Sequence, residues 1–189
     1  MKSVLISVRP KWCELIVGGK KIIEVRKTRP KLKTPFKCYL FCTTGHPYIS
    51  VQDGRLDREH YRTNTVGRCN GKVIGEFVCD NIDFFARTGT NRNDVRYYIP
   101  QKTRAAMCLS QDEIEAYGNG SYLYGWHISN LQIYDKPREL SEFRRPCEND
   151  LYCESCGMHA EYTEACGNAA LYLRRPPQSW CYVEEVEAT

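Results

Sequence analysis

Residues 18–37 read G-G-K-K-I-I-E-V-R-K-T-R-P-K-L-K-T-P-F-K. The glycine pair can supply the left-handed residue that ends a helix, and the β-branched I-I-E-V-R that follows at once reads as a strand, Ile22 to Arg26. Period-two geometry puts Ile23 and Val25 on one face and Glu24 and Arg26 on the other. In a strand regular from its start, Lys20 shares the face of Glu24; a bulge or turn after the glycines would bring Lys21 there instead. These twenty residues hold eight Lys or Arg against one acid, whereas the whole chain carries only +4. The remainder is therefore mildly acidic, and a concentrated cationic field suited to phosphate or another anion sits in one segment. A solvated lysine-rich loop would have the same composition.

Working outward, K-S-V-L-I-S-V (2–8) predicts a buried first strand, because its apolar run barely alternates. Pro10 suits a first helical turn, and Trp12, Leu15 and Ile16 recur at helical spacing. Downstream, C-Y-L-F-C-T (38–43) predicts a third strand, and 44–70 a long loop rich in turn formers. Residues 71–85 predict one long strand with a bulge or bend at Gly75. The segment 86–106 is polar and basic; Ser110 to Glu113 then forms a capping box opening a helix through Tyr117. One or two strands fall in 122–134, a Pro- and charge-rich stretch follows Lys136, and S-W-C-Y-V-E-E-V (179–186) closes the pattern.

About six strands, two short helices and no βαβ rhythm predict a mainly β, α+β chain: a small closed or nearly closed barrel with helices at its ends. The expected organisation is a barrel over 1–143, a cysteine-rich insertion over 144–178, and a closing strand with tail over 179–189. At 189 residues and 42% hydrophobic content the chain suits one domain with a small appendage. No apolar run suggests a signal peptide or a membrane span, so the expected location is the cytoplasm.

Eleven cysteines, an odd number without an export signal, argue for reduced thiols and a metal and against a disulfide scaffold. Cys13, Cys38, Cys42, Cys69, Cys79 and Cys108 are scattered, mostly in apolar contexts where a thiol packs as a small hydrophobe. Cys153 and Cys156 have the spacing of a zinc knuckle, in which two thiolates from one tight turn reach the same ion. Cys147 and Cys166 can complete a tetrahedral site, with His159 and Cys181 as alternatives for the fourth ligand. A four-cysteine site of this kind would be structural zinc, stapling a polar segment that has few apolar residues of its own.

Four features in order resemble the ASCH domain, a branch of the PUA-like barrel superfamily: V-L-I-S-V-R-P (4–10), G-K-K-x-x-E-x-R (19–26), G-E-F-V-C (75–79) and W-H-I-S-x-L-x-I-Y (126–134). The likeness spans residues 3 to about 143 plus the closing strand, and is to ASCH proteins of the phage and prophage type. It implies a basic, polar cleft suited to single-stranded RNA or a modified nucleoside. Some relatives with this fold hydrolyse the acetyl amide of acetylated cytidine with a lysine, a threonine and a distant glutamate. Lys21 matches the lysine, Glu24 stands where the threonine would be, and Glu113 is the candidate for the glutamate.

Lys21 and Glu24 are accordingly the candidate catalytic pair, able to tune one another and act as acid and base if their side chains converge. An ordinary structural ion pair would look the same. Candidate nucleic-acid contacts are Lys20, Lys21, Arg26, Lys27, Arg29, Lys31 and Lys33, joined by Trp126, whose ring can stack a base unless it belongs to the core. Adjacent strand residues point to opposite faces, so Trp126 and His127 cannot both face one cleft. The resemblance puts His127 and Ser129 near it. Three functions follow: an RNA- or nucleoside-binding module, a hydrolase acting on RNA or a modified nucleoside, or a zinc-stabilised protein-interaction adaptor.

Overall fold

The computed structural model describes residues 1–89, 96–147 and 168–186, together with the backbone of 152–153 and 158–159. Strand β1 (Lys2–Val8) leads into helix α1 (Pro10–Val17), followed by β2 (Ile23–Arg26) and β3 (Phe36–Cys42). A hairpin of β4 (Ser50–Gln52) and β5 (Arg55–Asp57) precedes β6 (Lys72–Cys79) and β7 (Ile82–Phe85). The short pair β8 (Arg87–Thr88) and β9 (Arg96–Tyr97) leads to α2 (Gln101–Met107) and α3 (Gln111–Gly118). Then come β10 (Leu123–His127), β11 (Ser129–Arg138), a 3-10 turn at Leu140–Glu142, the strands β12 (Tyr152–Cys153) and β13 (Met158–His159), and β14 (Trp180–Glu184).

Two sheets form the wall: five strands in the order β11-β6-β3-β1-β14, and three in the order β2-β10-β7. Only β1 and β3 pair in parallel within them. The closing strand lies antiparallel on β1, as expected, with Leu5 opposite Cys181. One bent ribbon belongs to both sheets. Val78 of β6 faces Ser129 of β11, and Ile82 of β7 faces Trp126 of β10. At the bend His127 N donates to the Asn81 carbonyl at 3.0 Å. The single strand expected over 71–85 is therefore two, because a continuous strand could not turn from one sheet into the other.

Gly75 lies where the bend was expected. A Cβ there would sit 2.3 Å from the Gln132 carbonyl, and the β3–β6 register shifts just opposite, between Leu40 and Phe41. Only glycine lets the two backbones approach so closely.

β1 carries apolar residues on both sides because both sides are covered. Val4, Ile6 and Val8 enter the barrel interior with Leu40, Phe77 and Trp126; Leu5 joins Tyr39, Phe143, Leu173 and Val183 on the outer face. A third cluster, built from Ile23, Val25, Tyr97, Met107, Ile114 and Leu123, fastens α2 and α3 to the three-stranded sheet. Cys13, Cys38, Cys42, Cys69 and Cys79 are buried as packing residues. Burial pushes the Cys79 thiol up to about 12 and those of Cys13 and Cys38 well above the usual range, so they stay protonated.

One further expectation is corrected, and one helix was not anticipated. The stretch 44–70 is not all loop: Asp53 and Gly54, at φ 50° and 67°, close the β4–β5 hairpin with the left-handed pair such turns require. The basic segment 86–106 contributes most of α2, whose inward residue Met107 is buried. Among the described residues no helix is long and apolar enough to cross a membrane.

Candidate functional site

The two sheets leave an open seam, since β2 and β14 are both edge strands. A cleft of about 810 Å³ opens beside it. Its walls come from Ser7 of β1 and Arg9 just after it, from Trp12 of α1, from β2 and the start of the basic loop, from α3, and from Gln178 and Ser179 before β14.

The turn after α1 decides what β2 presents. Gly19 takes φ 68°, and the backbone N–H groups of Lys20 and Lys21 both donate to the Leu15 carbonyl at 2.9 Å. This turn delays the strand to Ile23, so Lys21 joins Glu24 and Arg26, and Lys20 is left exposed. Of the two registers open from the residue pattern, the turn selects the second.

Lys21 is 2% exposed. An ammonium has three N–H donors. Three acceptors surround it: the Met107 carbonyl at 2.7 Å, the Ile23 carbonyl at 3.0 Å and Glu24 Oε2 at 3.3 Å. The Trp12 ring lies 5.1 Å away over the charge. Burying a cation is costly unless it is paired and hydrogen-bonded, and here it is both. Lys21 thus ties β2 to the end of α2 and has no spare donor for a phosphate.

Glu24 is held from both sides, by Lys21 on Oε2 and by Arg26 Nη2 at 3.0 Å on Oε1. Arg26 in turn donates from Nη2 to the Ser7 carbonyl at 2.6 Å and reaches Ser179 Oγ from Nη1 at 3.4 Å. Its Nε is buried with no acceptor among the described residues. The cleft therefore contains an ordered +, −, + row in which the guanidinium Nε is left unpartnered.

Around this row stand Arg9 and Lys27 at the mouth, and Glu113 and Tyr117 one helical turn apart on α3. Four cations against two carboxylates give the cleft an excess of positive charge. The Ser110 backbone N–H, donating to Glu113 in the capping box, holds that carboxyl below its ordinary range; the charges of Lys11 and Lys21 add to this. Glu113, the weakest of the sequence candidates, does reach the same cleft as Lys21 and Glu24.

The other candidates separate. Trp126 is opposite Glu24 on the same face of the sheet, but it is fully buried, edge-on to Phe36 and against Trp180. It is a core residue and presents no surface for a base. His127 faces the other way, its Nε2 2.8 Å from Asp83 Oδ2. Ser129 donates to the Val78 carbonyl at 3.0 Å and fixes the bent ribbon. Neither lines the cleft. Lys27 does, whereas Arg29, Lys31 and Lys33 surround a second, smaller pocket of about 370 Å³ on the loop that follows.

Arg9, Trp12 and Tyr117 were missing from the sequence candidates. The i, i+4 spacing of Glu113 and Tyr117 was a usable signal. Nothing local marks Ser7 or Ser179, whose roles arise from strands distant in sequence. Of the proposed zinc ligands, Cys153, Cys156 and Cys166 lie outside the described side chains, and Cys147 is half-buried. Among the described residues no group of three or more His, Cys, Asp or Glu is arranged to hold a metal.

No protein-family model matches the chain, and no curated protein matches it. Solved structures do. The ASCH protein of Zymomonas mobilis shares 18% identity over 73% of each chain, with TM-score 0.48. A Tyr-to-Phe variant of it shares 19% over 74% of this chain and 77% of that one, with TM-score 0.45. A Ser-to-Ala variant shares 15%, covers 97% of this chain and 89% of that one, and reaches TM-score 0.50. The last of these spans nearly the whole molecule, and on it this chain has the α+β fold of the Zymomonas mobilis ASCH protein.

Proposed function

We propose that this chain is an ASCH domain protein of the PUA-like type that binds RNA, or a modified nucleoside, in the basic cleft. The observation carrying this reading is the ordered Lys21–Glu24–Arg26 row in a cleft of about 810 Å³ with cationic side chains at its mouth. A nucleobase offers alternating donors and acceptors, which a fixed carboxylate and a guanidinium with a spare N–H can answer. Arg9 and Lys27, both exposed, are the groups free to meet phosphate. Fluorescence anisotropy with single-stranded RNA at a series of salt concentrations tests this. Steep salt dependence, relieved by Lys27→Ala and Arg9→Ala, is expected; affinity indifferent to salt and to both substitutions would overturn it.

A hydrolase is the second reading, favoured by the meeting of Lys21, Glu24 and Glu113 in one cleft. Glu24 would act as the base, its carboxylate held in place by Lys21 and Arg26. Nucleoside mass spectrometry of bacterial RNA incubated with the protein tests it. A modified nucleoside lost with the wild type and retained with Glu24→Gln is expected of an enzyme; RNA unchanged by the wild type removes this reading.

We further propose one structural zinc on Cys153, Cys156, Cys147 and a fourth ligand, Cys166 in the simplest arrangement. Its support is the antiparallel pairing of β12 and β13, with Cys153 opposite Met158 and Cys156 between the two strands in sequence. A zinc knuckle needs such a reversal.

A further inference from the structure

The face of the three-stranded sheet that holds Arg26 continues beyond the cleft. Tyr124 lies opposite Arg26 in the β2–β10 pair, and Phe84 opposite Tyr124 in the β10–β7 pair. The row therefore leads from the cleft to the sheet edge, a distance of about 10 Å at ordinary strand spacing. Phe84 is in contact with Tyr124 at 5.5 Å between ring centroids and with Tyr122 at 5.3 Å. Phe84 is 56% exposed and Tyr122 54%. Single exposed aromatics need no explanation, but Phe84 and Tyr122, exposed and in contact beside half-buried Tyr124, make a patch that calls for one.

What distinguishes this patch from a protein-docking surface is its charge. Arg29 lies over the Tyr124 ring at 6.0 Å, and Lys27 over that of Tyr117 at 5.4 Å. Next to the row is the second pocket, bordered by Arg29, Lys31, Lys33, Thr34 and Asn81 with no carboxylate among its lining residues. Aromatic faces beside a purely cationic, hydroxyl-bearing pocket are the pairing that single-stranded nucleic acid requires: bases stack, phosphates are neutralised alongside. The loop carrying these cations is anchored, since Thr28 Oγ1 accepts from Trp180 Nε1 at 2.9 Å and the Lys31 N–H donates to the Tyr182 hydroxyl at 2.7 Å.

We infer that Tyr124, Phe84 and Tyr122, with Arg29 above them, form a stacking track for the nucleotides next to the one in the cleft. The ligand is then a single strand of RNA and not a free nucleoside. This rests on the proposal that the cleft takes a nucleobase.

The test compares fluorescein-labelled decauridylate with uridine 5′-monophosphate on the full chain, as wild type, as Phe84→Ala with Tyr122→Ala, and as Lys27→Ala with Arg9→Ala. All four substituted residues are exposed or at the cleft mouth, and thermal melts establish that the fold is kept. Wild type is expected to bind decauridylate far more tightly than the mononucleotide. The Phe84→Ala, Tyr122→Ala pair should weaken decauridylate by about 5- to 150-fold for each base left unstacked. Unchanged decauridylate affinity in that pair, with a loss in the Lys27→Ala, Arg9→Ala pair, overturns the track and leaves the cleft standing. The reverse pattern overturns the cleft while keeping a binding surface on the row. Equal affinity for the two probes, or a dimer that dissociates in the Phe84→Ala, Tyr122→Ala pair without any change in RNA affinity, also overturns the track.

Discussion

Arg26 Nη2 donates to the Ser7 carbonyl at 2.6 Å while standing 3.0 Å from Glu24 Oε1, so one guanidinium joins the edge of one sheet to the other and also restrains the carboxylate of the cleft. At this point a side chain joins the two sheets, since β1 is already paired with β3 and β14 on its two edges. Stability and the geometry of the site thereby depend on the same group.

Removing that group should be expensive. Arg26→Ala leaves Ser7 without its donor and Glu24 buried with one cation fewer, which costs about 3–5 kcal/mol for a broken buried pair. The measurement is chemical denaturation. Because Glu24 is the partner left behind, adding Glu24→Gln to Arg26→Ala should cost less than the two single losses summed.

The two lysines of the cleft should behave differently. Lys21 uses all three donors within the fold, so Lys21→Ala is expected to lower stability by about 3–5 kcal/mol and to obscure any binding effect. Exposed Lys27 is expected to leave the melting temperature unchanged when replaced by Ala. The slope of log affinity for single-stranded RNA against log salt should fall by about 0.7 for the one phosphate no longer neutralised. Anisotropy at four or five salt concentrations reads this directly.

Local chemistry made most of the barrel legible. The glycine pair, the capping box at Ser110 and the bend at Gly75 each express a short-range constraint, and each is found where its residues are. What the sequence could not reveal depends on distant partners. Trp126 looks like a stacking residue until Phe36 and Trp180 are seen to cover it. Ser7 and Ser179 gain their roles only because β14 returns to pair with β1. The register of β2 hung on one carbonyl, Leu15, accepting two N–H groups.

Gly118 should not tolerate a side chain. A Cβ there would lie 2.2 Å from the Tyr97 hydroxyl oxygen and 2.5 Å from its ring. Gly118→Ala must push α3 away from β9, and overpacking of this kind costs about 1–3 kcal/mol. Since α3 carries Glu113 and Tyr117 into the cleft, RNA affinity should fall together with the melting temperature. A variant that melts lower but binds unchanged would separate α3 from the site.

Just after β5, His60 Nδ1 lies 2.6 Å from Asp57 Oδ2. The pairing raises the His60 pKa above its ordinary 6.5, mainly through this hydrogen bond, and the same bond lowers that of Asp57 below 3.8. The His60 contribution is complete below 6.5 and disappears as pH rises through the raised value; the Asp57 contribution is complete above 3.8 and disappears as pH falls through the lowered one. The pair is therefore fully formed between them, across mildly acidic pH. NMR titration should give His60 a midpoint above 6.5, returning toward it in Asp57→Asn.

The proposed zinc makes a prediction that separates fold from function. If Cys153 and Cys156 hold a metal with Cys147 and a fourth ligand, elemental analysis should return one zinc per chain, and Cys153→Ser with Cys156→Ser should abolish it. The ends of this segment are fastened to the barrel: Leu173 N donates to the Phe143 carbonyl at 2.8 Å, and Arg145 N to that of Leu171 at 2.9 Å. Leu173 also enters the outer-face core beside Tyr39 and Val183. Chelation should consequently lower the melting temperature through these attachments. The cleft, lined by Ser7, β2 and α3, shares no lining residue with that core cluster, so RNA affinity measured well below the melting range should persist. Loss of RNA binding on chelation, with the barrel still folded, would show that the metal segment reaches the ligand itself. Partner capture that disappears with the metal while RNA binding persists would point to the segment as a contact for protein.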